Sequence, residues 1–411
     1  MPSPSHDDEP HVRRAIELAM EGRGLVEPNP MVGCVIVRDG RIIGQGFHRR
    51  FGGPHAEREA LADCAGGARG ASVYVTLEPC CHSGKKTPPC APALIEAAVA
   101  RVVVGCADPN PQVSGGGIAL LRAAGIDVRL GVLEPECRQL IAPFFATARL
   151  KRPYITVKWA QSADGKVAGP AGRRTQLAGP ASMRLVHELR TRSDAIVIGI
   201  GTALADDPLL TVRDVPVLRR PLRVVLDSHL RLPPHSRLVR SCAERTRQQP
   251  AGGPANPSQG AGTAADCPLA VYALEPADDA ARQRRRVLID AGVRVVSVPP
   301  GNDRRIDLGF VMSDLAAQGA THVLVDAGPA LAAALMTANL VDRVWTFHTP
   351  RRIDDPTAPA APLVEYPISG QVRLGDDVLV EHLNPLSGAF FDLRPSPDLW
   401  RAMAEAQAQG S

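Results

Sequence analysis

The chain has 411 residues, which is more than one ordinary hydrophobic core encloses, so two domains are expected. Its 47 Lys and Arg residues nearly balance its 43 Asp and Glu residues, which argues against a surface dedicated to nucleic acid. The opening MPSPSHDDEP has neither the basic nor the apolar region of a secretory signal, and no apolar run is long enough to cross a bilayer. We therefore expect a cytoplasmic protein without a membrane partner, whose nine cysteines are reduced.

The first 150 residues alternate between helix-like and strand-like segments. PHVRRAIELAMEGRG has the apolar spacing of a helix, and MVGCVIVRDGRIIGQGFH holds two β-branched runs around Asp39-Gly40, the pattern of a hairpin. A helix is then predicted from near His55, followed by strand SVYVTLEP, helix CAPALIEAAVA, strand RVVVGCADP, helix GGIALLRAAG and strand DVRLGV. This alternation predicts a largely parallel sheet covered by helices.

The β-rich segment RPYITVKWAQSADGKVA begins a second series, so the domain boundary is predicted between residues 150 and 151. This series runs through ASMRLVHELRTR, DAIVIGIGT, PLRVVLDS, PLAVYAL, DAARQRRRVLIDAG and VRVVSVP to THVLVDAG. Residues 241–267 are rich in Gly, Pro, Ala and Gln, a composition typical of a flexible insertion. The predicted fold class is α/β in two domains, residues 1–150 and 151–411.

Three residues of zinc-binding type stand at two predicted helix starts. His55 opens one helix, and Pro79-Cys80 with Cys90 opens the next. One imidazole and two thiolates make a three-ligand zinc set that leaves a fourth position for water. Glu57 follows His55 by two residues, so its carboxylate can transfer protons without binding the metal. H-x-E followed by P-C and a later Cys is the signature of zinc nucleobase deaminases, which makes Glu57 the predicted catalytic residue.

Several longer segments carry a family resemblance. EPNPMVGCVIV, GGPHAE, VYVTLEPC, TPPC and ADPNPQVSGGGI closely resemble the bifunctional riboflavin-biosynthesis deaminase–reductases. The resemblance implies an N-terminal cytidine-deaminase-like three-layer α/β/α domain, which hydrolytically removes an amino group from a phosphoribosylaminopyrimidine. It also implies that the pyrimidine and its ribosyl phosphate are held by Asn29, His82, one of Lys85 and Lys86, Asp108 and Asn110.

One departure from the family concerns the metal site. Nine residues separate Cys80 from Cys90, one more than the family usually has between its ligand cysteines. Cys81 would restore the usual spacing and is therefore a rival ligand. Cys80 is preferred, because the preceding Glu78-Pro79 pair sets a helix-start geometry for it.

The second half contains two motifs typical of ligand sites. GIGTALADDPLLTVR (199–213) follows an apolar strand, and its last residue, Arg213, is expected at a strand end beside the Gly pair. DAGPALAAALM (326–336) is a strand, a Gly-Pro turn and a helix start suited to a phosphate. It lacks the G-x-G-x-x-G pattern, so a Rossmann site is not predicted.

These motifs, with K-x-x-x-S-x-D-G at 158–165 and V-L-D-S ending at Ser228, are similar to the reductase domain of the same family. That resemblance implies a dihydrofolate-reductase-like α/β fold that uses NADPH to reduce the ribosyl side chain to ribityl. By position, the residues implied to contact the cofactor are Ala160, Gln176, Thr202, Asp206, Ser228, Gly328, Pro329, Ala330, Leu331, Ala332, Ala333 and Ala334. Those implied to contact the substrate are Lys158, Arg174, Arg190, Leu210, Arg213 and Asp326.

The second half also departs from the family. Arg174-Thr175-Gln176 replaces a Ser-x-Trp, Asp326 replaces a Glu, and the tail from Ile353 is not recognisable. These changes leave a second hypothesis open, a zinc deaminase whose C-terminal half is a degenerate reductase serving as a binding or assembly module. A deaminase acting on a nucleic-acid base is a third, which weak net basicity and the absence of an aromatic and basic stripe disfavour. Homo-oligomer formation is left open by the sequence.

Overall fold

The computed structural model of the chain describes residues 8–82, 87–111, 113–170, 175–248, 268–301, 304–389 and 394–410. Two compact units are present, one formed by residues 1–151 with 388–397 and the other by residues 152–387 with 398–411. None of the described helices is long and apolar enough to span a membrane.

The first unit is built on a five-stranded sheet in the order β2-β1-β3-β4-β5. Its strands are β1 (Gly33–Arg38), β2 (Arg41–Phe47), β3 (Ser72–Leu77), β4 (Arg101–Cys106) and β5 (Asp127–Leu130). Its helices are α1 (Glu9–Met20), α2 (Ala56–Asp63), α3 (Cys90–Glu96), α4 (Gly116–Ala123), α5 (Glu134–Leu140) and α6 (Ala142–Phe145), followed by a π-helical turn at Ala146–Leu150. The predicted hairpin pairs β1 with β2 antiparallel, and β1 also pairs antiparallel with β3. Only β3, β4 and β5 are parallel, so the sheet is mixed and not largely parallel as predicted.

Two helical layers cover this sheet, because alternate strand residues are apolar on both faces. Ala60 of α2, Leu94 of α3 and Leu121 of α4 pack with strand residues such as Ile36 in one core. On the opposite face α1 approaches Gly33 so closely that a Cβ there would overlap the carbonyl oxygen of Ala15. The result is the predicted three-layer α/β/α arrangement, in which α2 follows β2 and α3 follows β3 along the chain.

The second unit is built on a nine-stranded sheet in the order β10-β9-β8-β7-β11-β6-β12-β14-β13. Its strands are β6 (Tyr154–Gln161), β7 (Ala195–Gly199), β8 (Leu222–Leu226), β9 (Leu269–Ala273), β10 (Arg294–Ser297), β11 (His322–Asp326), β12 (Arg343–His348), β13 (Ile368–Leu374) and β14 (Asp377–Leu383). Its helices are α7 (Pro180–Arg190), α8 (Ile200–Asp206), α9 (Arg237–Gln248), α10 (Asp279–Asp290), α11 (Leu308–Ala317), α12 (Pro329–Thr337) and α13 (Pro397–Gly410). The sheet is parallel from β10 to β12 and antiparallel at β14 and β13.

Three features of the second unit differ from the sequence predictions. Residues 241–248 of the predicted insertion belong to α9, since Leu238 and Cys242 of that helix pack into the core; residues 249–267 lie outside the described residues. Arg213 follows α8 in irregular backbone and not in a strand. The unrecognised tail forms the hairpin of β13 and β14 around Gly375, whose φ of 64° suits a tight turn.

Gly33 gives a direct test of helix–sheet packing in the first unit. Gly33→Ala should lower the free energy of unfolding by about 1–3 kcal/mol, because the added methyl group overlaps the backbone of α1. Gly66→Ala is the matched control, since a Cβ at Gly66 would meet only the end of the Arg38 side chain, at 3.6 Å. Denaturant unfolding of both variants measures the difference. Equal midpoints would contradict the close packing of α1 on β1.

Candidate active sites

A cluster of three metal-ligating side chains lies at the starts of α2 and α3. His55 is the residue before α2, Cys90 begins α3, and Cys80 follows β3. The backbone N–H groups of Cys90 and Ala91 both donate to the Cys80 carbonyl oxygen at 3.0 Å, which fixes Cys80 beside the start of α3. His55 Nδ1 lies 3.5 Å from Cys80 Sγ and 3.4 Å from Cys90 Sγ. One imidazole nitrogen and two sulfurs, all within 4.8 Å of one another, fit the donor set of a zinc site.

Cys81, the rival ligand, does not join this cluster within the described residues. Its half-buried Sγ lies 3.8 Å from Nδ1 of the neighbouring His82. A Cβ atom at Gly116 would meet this sulfur at 2.9 Å, so Cys81 lies against the start of α4. The geometry therefore groups Cys80 with His55 and Cys90, although Cys80 itself is not helical and is held through its carbonyl oxygen.

The electrostatics of the cluster follow from its burial. Glu57 is only 3% exposed, and its burial raises the pKa of its carboxyl to about 7. Cys80 adds a smaller rise to this pKa, and His55 opposes both effects. A hydrogen bond between the two cysteines lowers the pKa of the Cys80 thiol, and Cys90 has the complementary rise in pKa. The hydrogen bond between the two sulfurs thus favours the thiolate form at Cys80, the form in which cysteine binds a metal.

The cluster opens into a cavity of about 400 Å³. Of the predicted substrate residues, Asn29 and Asp108 line this cavity, and so do Glu57, His55 and Cys80. His82 and Asn110 do not line it, and Lys85 lies outside the described residues. Asn110 instead stabilises the turn that contains Asp108, because its backbone N–H donates to Asp108 Oδ1 at 2.8 Å.

Glu78 lines the cavity without a predicted role, and its carboxylate fixes the turn at Asp108 and the start of α4. Its buried carboxylate accepts hydrogen bonds from the backbone N–H groups of Asp108 (3.2 Å), Gly115 (2.9 Å), Gly117 (3.0 Å) and Ile118 (3.2 Å). A Cβ atom at Gly117 would overlap the Pro79 carbonyl oxygen, so α4 packs directly on the segment that leads to Cys80. Glu78 therefore ties the metal cluster to the turn that contains Asp108.

His48 is a further cavity residue that the sequence analysis missed. Its Nδ1 lies 2.8 Å from the Pro54 carbonyl oxygen, which can only accept, so Nδ1 carries the proton. Nε2 then accepts from Asn29 Nδ2 at 3.0 Å, which fixes the orientation of the Asn29 amide. Burial lowers the pKa of His48 and favours this neutral form. Its place directly after β2, beside the G-G-P-H segment, is the sequence signal that could have found it.

A second cavity, of about 560 Å³, lies in the second unit at the ends of parallel strands. The predicted cofactor residues that line it are Ala160, Gln176, Thr202, Asp206, Gly328, Pro329, Ala330 and Leu331. The predicted substrate residues that line it are Lys158, Arg190, Leu210, Arg213 and Asp326. Its volume and mixed apolar and cationic lining suit a large anionic cofactor and a phosphorylated substrate.

Some predicted residues are not brought to this cavity. Ser228 follows the end of β8 and does not line it, and Arg174 lies outside the described residues. Ala332, Ala333 and Ala334 belong to α12 beyond its first turn, and Ala332 is buried in the core. Only the segment from Gly328 to Leu331 faces the cavity, because the helix axis carries the later residues away from it.

Asp326 organises the cationic side of the cavity. Its carboxylate lies 2.7 Å from Lys158 Nζ and 2.8 Å from Arg190 Nη2. Burial alone would raise the pKa of Asp326, but the two cations outweigh burial and lower it to about 2. The shorter side chain that replaces the family's Glu therefore still reaches both partners from the end of β11.

Arg213 is held in the cavity wall by α7. Its backbone N–H donates to His187 Nδ1 at 3.1 Å, and its Nη1 donates to Thr211 Oγ1 at 3.3 Å. Burial, followed by the charges of Arg190 and Arg213, lowers the pKa of His187 to about 4, so Nδ1 stays available as an acceptor. Neither His187 nor its contact with Arg213 was predicted from the sequence.

Two aromatic residues outside the altered Arg174-Thr175-Gln176 segment border this cavity, and both are buried. Trp159 of β6 and Phe347 of β12 both line it. Trp159 Nε1 donates to Gln161 Oε1 at 3.0 Å, which fixes the indole ring. With exposed fractions of 3% and 1%, both rings belong to the hydrophobic cores, so they do not supply the aromatic surface that the family's Trp would offer a cofactor.

Comparisons with known proteins agree with these two sites. Residues 5–106 match the cytidine and deoxycytidylate deaminase zinc-binding region, and residues 153–353 match the RibD C-terminal domain. The chain is 35% identical over 385 residues to the riboflavin biosynthesis protein RibD of Actinobacillus pleuropneumoniae, which covers 91% of this chain and 94% of that protein.

Two solved structures are similar over most of their length. Form 1 of Acinetobacter baumannii RibD has a TM-score of 0.74 and 32% identity, covering 92% of this chain and 98% of that one. A diaminohydroxyphosphoribosylaminopyrimidine deaminase/5-amino-6-(5-phosphoribosylamino)uracil reductase from Thermotoga maritima has a TM-score of 0.73 and 31% identity, covering 92% and 99%. The predicted α/β fold class is confirmed. The chain belongs to the RibD family of riboflavin biosynthesis enzymes, in which a zinc-dependent deaminase domain precedes an NADPH-dependent reductase domain.

Proposed function

We propose that the chain converts 2,5-diamino-6-(phosphoribosylamino)pyrimidinone in two consecutive steps of riboflavin biosynthesis. The first unit exchanges the 2-amino group for oxygen and releases ammonia, and the second reduces the ribosyl side chain to ribityl with NADPH. The observation that carries this proposal is the cluster of His55, Cys80 and Cys90 beside the buried Glu57 in a cavity of ligand size. The family and its two domains support both activities.

The deamination is assigned to four side chains of the first unit. His55, Cys80 and Cys90 would hold zinc, which when bound lowers the pKa of a water molecule towards neutrality. Glu57 lines the cavity without belonging to the ligand set, so its carboxylate accepts the proton of the attacking water. The same carboxyl then delivers that proton to the departing amino group. Water oxygen replaces nitrogen, ammonia leaves, and Glu57 returns to its starting state.

Substrate orientation in the first unit is assigned to Asn29 and Asp108. Both line the cavity, and both are fixed by other residues, Asn29 by His48 and Asp108 by Glu78. An amide and a carboxylate held in this way can select the donors and acceptors on the pyrimidine edge. His82, Lys85 and Asn110 stay predictions of the resemblance.

The reduction is assigned to the cavity of the second unit. NADPH, when bound, would supply a hydride to the anomeric carbon of the ribosyl group; the bond from that carbon to the ring oxygen breaks, and a proton from solvent converts that oxygen to a hydroxyl. The turn and helix start from Gly328 to Leu331 present backbone N–H groups suited to the cofactor's pyrophosphate. Arg213 contributes a guanidinium for the substrate phosphate, while Asp326 orients Lys158 and Arg190.

The alternative of a degenerate reductase is not favoured. Two of the altered positions, Gln176 and Asp326, still line a cavity of about 560 Å³, and Asp326 pairs there with Lys158 and Arg190. A cytoplasmic location and the absence of a nucleic-acid partner stay predictions of the sequence, which leaves homo-oligomer formation open.

Incubation of the purified protein with the phosphoribosylaminopyrimidine, with and without NADPH, tests the whole proposal. Without NADPH, mass spectrometry should detect the deaminated ribosyl product together with free ammonia. With NADPH, the mass should rise by two hydrogen atoms as the ribityl product forms. Ammonia release without any reduction would support the degenerate reductase instead, and deamination of single-stranded DNA or tRNA in place of this substrate would support a nucleic-acid deaminase.

The identity of the zinc ligand between the two adjacent cysteines is testable. Cys80→Ser should lose the bound zinc, because the cluster then keeps only two good ligands. Cys81→Ser is the matched control and should retain a single zinc ion per chain. Elemental analysis of both purified variants measures this, and the reverse pattern would assign Cys81 as the ligand.

Glu57→Gln should retain zinc and lose deamination by ~10²–10⁴-fold, because an amide neither accepts nor delivers the proton. Glu59→Gln on the same helix is the control, since Glu59 pairs with Arg49 and does not line the cavity. Ammonia release and zinc content are measured side by side. A Glu57→Gln enzyme with nearly full activity would remove Glu57 from the mechanism.

Arg213→Ala should slow reduction by about 10–100-fold while ammonia release is unchanged, because losing a charge-assisted hydrogen bond to phosphate costs ~1.5–3 kcal/mol. The KM for the substrate should rise more than the KM for NADPH. Arg184→Ala removes an arginine of α7 whose side chain is 69% exposed and pairs with Glu188, and it should change neither activity. Unchanged reduction in Arg213→Ala would exclude this residue from the site.

A further inference from the structure

Two side chains at the start of α2, His55 and Arg58, form hydrogen bonds with residues 87–89, which directly precede the ligand Cys90. Thr87 Oγ1 lies 3.1 Å from His55 Nε2. One turn further along, Arg58 Nε donates to the Pro88 carbonyl oxygen at 3.1 Å and Arg58 Nη2 donates to that of Pro89 at 3.2 Å. The backbone beside Thr87 is therefore held, and the rings of Pro88 and Pro89 restrict it further.

The hydrogen-bond pattern around His55 assigns a role to each ring nitrogen. Nδ1 faces both cysteine sulfurs, at 3.5 and 3.4 Å, so it is the nitrogen that can bind a metal. A metal-binding nitrogen carries no proton, and a neutral imidazole keeps its single proton on the other nitrogen. That nitrogen is Nε2, and the atom it faces is the Thr87 hydroxyl oxygen, which accepts the hydrogen bond.

We propose that Thr87 is a positioning residue of the zinc site, whose hydroxyl holds His55 in the tautomer and ring orientation that zinc requires. Histidine ligands of metals usually donate their second N–H to a fixed acceptor, which orients the ring and raises the basicity of the ligating nitrogen. In this chain the acceptor is a hydroxyl on a segment that also contains a ligand cysteine. One short segment thus sets both Cys90 and His55, and Arg58 fixes that segment to the helix that His55 precedes.

The inference rests on the proposed zinc site, and it assigns to Thr87 an effect on metal binding and not on the chemical step. Thr87 lines the cavity as well, so a change in activity alone would not distinguish positioning from substrate contact. Zinc affinity in the absence of substrate makes this distinction, because a residue that only touches substrate leaves it unchanged.

The test compares three proteins: the wild type, Thr87→Val and Thr87→Ser. Valine keeps the branched shape and replaces the hydroxyl by a methyl group, whereas serine keeps the hydroxyl. Zinc dissociation constants come from competition with a chromophoric chelator, and the absorption of the Co²⁺-substituted proteins reports the ligand field. Thermal unfolding of the metal-free proteins checks that the substitutions leave the fold intact.

Thr87→Val should bind zinc ~10–100-fold more weakly than the wild type, the usual effect of removing such a partner. Its Co²⁺ spectrum should shift, and Thr87→Ser should restore both affinity and spectrum. Equal affinities and spectra in folded Thr87→Val and wild type would overturn the inference while leaving the zinc site itself in place. A wild type that binds no zinc, or a Cys80→Ser variant that binds it unchanged, would instead overturn the proposed site.

Discussion

The carboxylate of Glu78 is the interaction on which the first site depends. A buried carboxylate without partners would be very costly, and four backbone N–H groups, three of them at the start of α4, offset this cost. These bonds join three pieces of chain that are distant in sequence: the end of β3, the turn at Asp108 and the first turn of α4. Cys80 lies two residues beyond Glu78, so the same group sets the position of the proposed zinc ligand and that of Asp108 in the cavity wall.

Asp326 serves the second unit in a comparable way. It lies at the end of β11, between the neighbouring strand that carries Lys158 and the helix that carries Arg190. Removing one member of such a partly buried group leaves the others with less compensated charge, so the three side chains act as one unit. In both sites a carboxylate at a strand end is satisfied by the protein itself and thereby fixes the groups that face the ligand.

The parts of this molecule that the sequence predicts well are local. His55, Glu57 and the start of α2 lie within three residues, and the strands around them are continuous apolar runs. Arg213 was assigned to a strand end because LLTVR has β-type composition, but Asp207 and Leu210 have φ angles of 37° and 54°, which interrupt an extended strand. The contacts of Thr87 with His55 and of His48 with Asn29 join residues 32 and 19 positions apart, and no local pattern signals them.

The sequence locates the turn at the start of α12 but does not show which residues of the predicted run face the cavity. The whole run from Gly328 to Ala334 resembles the family, yet the helix presents only its beginning to the cavity and buries Ala332. Resemblance identifies a motif, whereas the packing of its helix against the sheet decides which of its residues can touch a ligand. Ser228 likewise belongs to a recognisable motif, but its position after the end of β8 does not bring it to the cavity.

The unrecognised tail bears most directly on whether the second unit is a working reductase. Asp377, the first residue of β14, accepts hydrogen bonds from the Gly179 N–H at 2.7 Å and the Ser182 hydroxyl at 2.6 Å, and so caps the start of α7. That helix carries Met183, Val186 and Arg190 to the cavity wall. A buried carboxylate without partners would destabilise the fold, so the pairing of Asp377 with the start of α7 fixes that helix against β14. The tail thus contributes to the wall of the second cavity through α7, a role that its sequence alone does not indicate.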